Sequence, residues 1–311
     1  MKEIIVTNDN KNQRLDKFLL KYLNEAPKGF VYKMLRKKNI KLNGRKAAGD
    51  EILNENDIIN IYMTDGTVSK FSSEKQLNIS TESINIIYED RYILAINKPR
   101  GVLTHPDSPN QTDTMLNRAL GYLYENNAFD ISSESVFTPA FCNRLDMNTT
   151  GVLVCGKTLG ALQQLNKVIS QRDSIKTYSA LVIGELREKG ILKGRMEKDG
   201  ESNISAVSEY GKEVVTEYEP IMVKNGYSLV KLRLITGRSH QIRVHMSDIG
   251  HPVLGDKKYG GFIPSGPKFQ MLHAESLRFG ALEGELAYLN NIELKADLPA
   301  DFIKWRKKLM G

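Results

Sequence analysis

Three stretches of this chain set a reactive or charged side chain against apolar strand. NRLDMNTTG (143–151) carries one carboxylate, Asp146, just after Arg144 and Leu145 and just before a Thr-Thr-Gly entry into an apolar run, 152–154. KTYSALVIGEL (176–186) carries Tyr178 ahead of a strand run over 180–183. LRLITGRSHQIRVHMSDIGHPVLGDKKYG (232–260) carries Arg238, His240, Gln241, Arg243 and His245. A single carboxylate can attack as a nucleophile or take a proton as a base. At the edge of a buried strand, desolvation favours its protonated form, and a guanidinium partner reverses that tendency and orients its oxygens. Taken one at a time, the stretches have plainer explanations: an Asp beside Thr-Thr-Gly caps a turn, and a Tyr at a strand start packs in a core.

Other chemistries find less support. Of the five histidines, His240 and His245 are five apart with no carboxylate at ligand spacing, so no metal site is expected. Neither G-x-x-x-x-G-K-[ST] nor a G-x-G-x-x-G after a strand occurs, so no nucleotide cofactor is expected. The two cysteines, Cys142 and Cys155, are too few for a disulfide framework; they read as small buried residues in a protein of a reducing compartment.

These residues need a scaffold. The chain has 311 residues, enough for one large domain or two unequal ones. Its net charge of +7 points to a polyanionic partner such as nucleic acid. The N-terminus turns polar after one short apolar run, which fits neither a signal peptide nor a membrane span, and the expected location is the cytoplasm. Leu15, Phe18, Leu19, Tyr22 and Leu23 share one face of a helix, and 28–38 repeats the idea with Phe30, Met34 and Leu35. Ile40 and Leu42 alternate up to the turn Asn43-Gly44, and 57–63 reads as a closing strand. Residues 1–63 are therefore expected to form a small helix-helix-hairpin domain. Within it, Lys28, Lys33, Arg36, Lys37, Lys38, Lys41, Arg45 and Lys46 fall in nineteen residues that contain no Asp or Glu. Because the run spans a helix end, a strand and a turn, it builds a patch of one sign suited to phosphate.

Residues 64–82 are polar and lack periodicity, which predicts a flexible linker. Beyond it, 84–88 and 92–96 are β-rich runs joined at Glu89-Asp90, helical patterns occur at 112–124, 157–171 and 299–309, and most of the rest is strand punctuated by Gly and Asn. Residues 83–311 are thus expected to be an α+β domain on a mixed, mainly antiparallel sheet.

In order and spacing, the three stretches resemble the three motifs of the RluA-type pseudouridine synthase family, which isomerises uridine in ribosomal and transfer RNA. INKPRGVLTHP (96–106) and HPVLGDKKYG (251–260) resemble two further family segments, so the likeness covers 84–298. The first sixty residues resemble the small RNA-binding module, named for a small-subunit ribosomal protein, that many members carry. One departure is Asn143, where the family's first motif usually has His, an exchange that bears on local hydrogen bonding near the RNA. The resemblance implies an isomerase without metal or cofactor, with Asp146 as the essential carboxylate, Arg243 as its ion partner and Tyr178 stacking on the target uracil, its hydroxyl helping to remove the carbon 5 proton. Arg144 would hold the nucleotide out of its helix. Lys98, His105, Arg238 and His240 would join Lys28, Arg36, Lys37, Lys38, Arg45 and Lys46 in contacting RNA. Making pseudouridine cuts the glycosidic N–C bond, turns the uracil and rejoins it through carbon 5, with no redox change. Asp146 could attack the sugar or take a sugar proton on a glycal route, and both remain open. The appended module favours large-subunit ribosomal RNA as substrate, with a monomeric enzyme and no membrane partner. The rival readings are the same chemistry on transfer RNA, a non-catalytic RNA-binding or ribosome-assembly factor, and a glycosidase, which ordinarily needs two carboxylates.

Overall fold

The computed structural model describes residues 1–7, 10–72, 78–108, 111–129, 136–198 and 205–311. In chain order the first elements are β1 (Lys2–Ile5), α1 (Leu15–Tyr22), α2 (Lys28–Arg36), β2 (Ile40–Leu42), β3 (Arg45–Lys46), β4 (Ile58–Ile61) and α3 (Asp65–Phe71). Both helices before β2 form as their apolar spacing demands. Leu15, Phe18 and Leu19 of the first, Leu23 just past its end, and Val31 and Leu35 of the second are buried against Ile40, Ile59 and Ile61. Asn43 and Gly44 have φ of 50° and 74°, the left-handed pair that a two-residue hairpin turn requires. Two features were not foreseen. The short N-terminal apolar run is a strand, β1, whose Ile4 lies opposite Ile59 in the sheet order β1-β4-β2-β3. The expected linker also begins with a helix: Thr64 caps α3 by accepting from the Thr67 N–H, and Phe71 packs on Phe30 with ring centroids 4.4 Å apart. Residues 73–77 of that stretch lie outside the described residues.

The remaining elements are β5 (Ile86–Glu89), β6 (Ile93–Lys98), α4 (Met115–Glu125), β7 (Ala140–Phe141), β8 (Thr150–Gly156), α5 (Leu159–Ser170), β9 (Ser174–Ile183), β10 (Gly190–Lys198), β11 (Ser205–Val207), β12 (Lys212–Lys224), β13 (Tyr227–Leu234), α6 (Gln241–Asp248), β14 (Leu272–Phe279), β15 (Glu293–Lys295) and α7 (Ala300–Met310). The strands form one sheet in the order β11-β10-β12-β13-β9-β14-β8-β6-β5, with β7 on β8 and β15 on β14. Among the described strand pairs of this sheet only β14 with β8 is parallel, so the fold is α+β on a mixed, mainly antiparallel sheet, as expected. The centre of this sheet is buried: every residue of β8 is, and Leu153 and Cys155 belong to one core while Val152 and Val154 belong to another across the sheet. That explains the uninterrupted apolar run behind Asp146. No described helix is long and apolar enough to cross a membrane.

Gly151 shows why Thr-Thr-Gly leads into β8. It has φ of 116°, and a Cβ there would lie 2.1 Å from the Ala274 carbonyl oxygen of β14. Only glycine lets the two backbones approach this closely at that φ. The residues just before β8 are thereby anchored to the middle of the sheet.

Candidate active site

Asp146 lies in the loop between β7 and β8, its side chain 26% exposed. Backbone bonding fixes the loop on both sides. Thr104 Oγ1 donates to the Leu145 carbonyl at 2.8 Å, and the Thr149 N–H donates to the Asp146 carbonyl at 3.0 Å. Asn143 donates through Nδ2 to the Val152 carbonyl and accepts through Oδ1 from the Val154 N–H, both at 2.9 Å. Its amide thus imitates one residue of a neighbouring strand. The Asn143 side chain is thus engaged by the β8 backbone.

Lys98, expected to contact RNA, is a correction. It is fully buried at the end of β6, and its Nζ donates to the carbonyls of Pro99 (2.9 Å), Met147 (2.7 Å) and Thr149 (3.1 Å). A side chain with no exposed surface cannot reach a phosphate; it holds the turn that carries Asp146. Burial pushes the Lys98 ammonium down to about 7, opposed by the nearby Asp146 charge. Three carbonyl acceptors need three N–H donors, which only the protonated form supplies. Arg100, not singled out in the sequence, clasps the same turn from outside, donating to the carbonyls of Asn148 (2.7 Å) and Gln270 (2.5 Å).

The arginine of the site comes from α6. Gln241, its first residue, fixes the preceding loop: its Oε1 accepts from Thr236 Oγ1 and the Arg238 N–H, and its Nε2 donates to Thr216 Oγ1 and the Val215 carbonyl. Two residues on, Arg243 donates from Nη1 to Asp146 Oδ2 at 2.9 Å. On its other edge Nε and Nη2 donate to Asp256 at 2.6 and 2.9 Å. Burial disfavours the Arg243 cation, but the two carboxylates more than compensate and hold its pKa above the ordinary value. Of the two arginines considered for Asp146, Arg243 is therefore the one that reaches it, while Arg238 is exposed in the loop. Asp146 Oδ1 accepts no hydrogen bond among the described residues.

His240, in the left-handed region at φ of 59°, places Nε2 3.9 Å from Asp146 Oδ2 and bonds the Tyr259 hydroxyl through Nδ1 at 2.8 Å. Burial lowers its pKa, against the pull of Asp146, so the imidazole is neutral at neutral pH. Tyr178 lies within β9, opposite Leu232 of β13 and Ala274 of β14, and is 8% exposed. Burial first, and then the Asp146 charge, push its phenol well above the ordinary range. It is thus a neutral aromatic beside the carboxylate. His105 sits edge-on to Phe141, and its pKa is lowered by burial and by the charge of Arg144. Arg144 itself is exposed and forms no hydrogen bond or ion pair among the described residues. The structure therefore brings Asp146, Arg243, His240 and Tyr178 together, sets Arg144 and His105 near one another, and leaves Arg238 exposed on the loop before α6.

Sequence reasoning passed over Asp256 and Tyr259, although both lie in HPVLGDKKYG. An Asp between Gly and Lys looks like a surface turn, and nothing local says that it is buried. Lys28, Arg36, Lys37, Lys38, Arg45 and Lys46 are all exposed, on α2 and on and around the β2–β3 hairpin, and none forms a salt bridge among the described residues. Lys41 instead lies 5.0 Å from the centre of the Tyr62 ring.

A family model described as RNA pseudouridylate synthase matches residues 92–248, a segment that includes Asp146, Tyr178 and Arg243. Ribosomal large subunit pseudouridine synthase D of Haemophilus influenzae is 32% identical over 317 residues, covering 96% of this chain and 92% of that protein. The protein of the same name from Buchnera aphidicola is 34% identical over 251 residues, covering 80% of this chain and 76% of its own. Human RNA pseudouridylate synthase domain containing 4 shares the fold, with a TM-score of 0.57 at 23% identity over 73% of this chain and 94% of that one. Likeness on this scale runs through the scaffold as well as the site, and the chain belongs to the RluA-type RNA pseudouridylate synthases, isomerases that convert uridine to pseudouridine.

Proposed function

We propose that the enzyme isomerises uridine in large-subunit ribosomal RNA, with Asp146 as the essential carboxylate. The observation that carries this reading is the similarity to the Haemophilus influenzae large-subunit enzyme over 96% of the chain, far beyond the catalytic segment. Residues 1–63 are the RNA-binding module, 64–82 the connection and 83–311 the catalytic domain. The same reading places the enzyme in the cytoplasm as a monomer.

Each site residue has a task that follows from its surroundings. Arg243 occupies Oδ2 of Asp146, so Oδ1 is the oxygen available to the sugar, either for attack or for taking a proton. Tyr178 offers a ring on which the uracil stacks; with its phenol held neutral, it serves as a donor rather than as the base for carbon 5. Arg144 is free to fill the space of the flipped nucleotide or to clamp a phosphate, offsetting a flipping cost of about a few kcal/mol.

The test is a map of pseudouridines in ribosomal and transfer RNA from cells with and without this protein. Loss of one or more sites from large-subunit RNA is the expected result; loss confined to transfer RNA overturns the substrate assignment. The basic patch has its own check. Arg36, Lys37 and Lys38 changed together to Ala should weaken RNA binding and lower the salt dependence by about one unit of slope per lost phosphate contact. The single-turnover rate on a saturating short substrate should survive. A salt slope equal to that of the wild type would make the patch a solvated face.

A further inference from the structure

Arg243 has two edges, and the structure uses them differently. The edge formed by Nε and Nη2 meets both oxygens of Asp256 in a fork, at 2.6 and 2.9 Å, whereas Nη1 alone reaches Asp146. A two-pronged pairing fixes the plane of a guanidinium as well as its distance. Asp256 is 1% exposed and is itself held in place, because its Oδ1 also accepts from the Lys258 N–H at 3.0 Å. The turn that presents it is shaped by Gly255, at φ of 82°, where a Cβ would lie 2.1 Å from the Phe269 carbonyl oxygen. Below the guanidinium lies the Tyr259 ring, with Cζ 5.0 Å from its centre. The Tyr259 hydroxyl accepts from the Ser205 N–H at 2.9 Å and bonds His240 at 2.8 Å, so the ring is held too.

The charges give this arrangement a purpose. One guanidinium lies between two carboxylates. Without Asp256, the Nε–Nη2 edge would be free to turn and fork both oxygens of Asp146, tying up the oxygen that has to react. We propose that Asp256 is the positioning residue of this active site: it locks the Nε–Nη2 edge of Arg243, so that only Nη1 reaches Asp146 and Oδ1 stays free. This rests on the reading of Asp146 as the essential carboxylate.

The experiment compares Asp256→Asn with Asp146→Asn in single-turnover pseudouridine formation at saturating RNA, with RNA affinity and thermal unfolding measured on both. Asp256→Asn should lower the single-turnover rate about 10- to 100-fold, as loss of an orienting partner does, and leave RNA affinity as in the wild type. A folded Asp256→Asn protein with the wild-type rate, beside an inactive Asp146→Asn, overturns the proposal. An active Asp146→Asn overturns the reading beneath it instead. A second measurement uses the wild-type protein and so stands even if the variant does not fold. In nitrogen-labelled arginine NMR, the Arg243 Nε–H should exchange with water more than about tenfold slower than that of exposed Arg45. Exchange as fast as that of Arg45 shows the edge unlocked and overturns the proposal.

Discussion

Asp146→Asn should reduce pseudouridine formation by on the order of 10⁴-fold or more, the scale on which an essential nucleophile or base acts. The amide is neither, so both routes at the sugar fail together. The fold should survive. The Asp146 side chain accepts one hydrogen bond, from Arg243, and an Asn oxygen can replace it while Arg243 keeps its fork to Asp256. The stability change should be within about 1 kcal/mol, the net worth of one such bond. RNA affinity should be nearly unchanged, because phosphate contacts set it and an uncharged Asn removes none. The measurement is single-turnover formation of pseudouridine beside a binding titration. Turnover within about tenfold of wild type would remove Asp146 from the chemistry.

The second large effect belongs to Arg243. Arg243→Ala leaves Asp146 and Asp256 near one another with no cation between them. A proton then takes the place of the lost charge, so the acid limb of the rate–pH profile should move to higher pH. The sign follows from the reacting form: if the carboxylate must be ionised, the rate is lost first at low pH and recovers as the pH rises. At the plateau the rate should be lower by roughly 10²- to 10³-fold, the scale for removing a preorganised donor from a reacting centre. Asp256 is buried at 1% exposure, so the same change should cost about 3–5 kcal/mol of stability, the range for a buried ion left without its partner. Arg243→Lys restores the charge without the planar fork, and should return the acid limb toward its normal position with the plateau still reduced. Arg238→Ala, at an exposed position, should weaken RNA binding and leave the limb in place. Single-turnover rates against pH for the three variants decide the matter. A limb that moves with Arg238 and stays put with Arg243 would mean that the ion pair in the structure does not govern the chemistry.

Much of this site was legible because its parts sit where local pattern and motif agree. The apolar run after Thr-Thr-Gly is β8, the helical spacing of 13–23 is α1, and the Asn43-Gly44 turn has the backbone such a pair favours. The pairing of Asp146 with Arg243 joins residues 97 apart, and it came from resemblance rather than from spacing. What stayed hidden depends on burial, which is a tertiary property. Lys98 in NKPRG reads like a lysine for phosphate, and only the docking of the 146–149 turn over it converts it into an internal donor. Asp256 reads as a turn residue until Arg243 arrives from α6. The helix α3 escaped because seven residues with two apolar side chains are too few to show a period; it is held by a Thr cap, by Val68 in the core of the small domain and by the contact of Phe71 with Phe30 of α2.

The position of β14 has a consequence for how the enzyme comes into being. This strand lies between β8 and β9, yet it follows both of them, and β10 to β13 as well, along the chain. Without Leu272–Phe279 the sheet order has a gap that separates β5, β6 and β8 from β9 to β13, and each side would carry an open edge there. Asp146 leads into the first half and Tyr178 belongs to the second, so β14 is the strand that joins the two halves of the site. Closing the gap pairs strands far apart in sequence, which is slow compared with hairpin formation, and open edges are where nascent chains aggregate. The strand that joins the two halves of the site is thus among the last of the sheet to be made, and its pairing is the one on which the site's assembly depends.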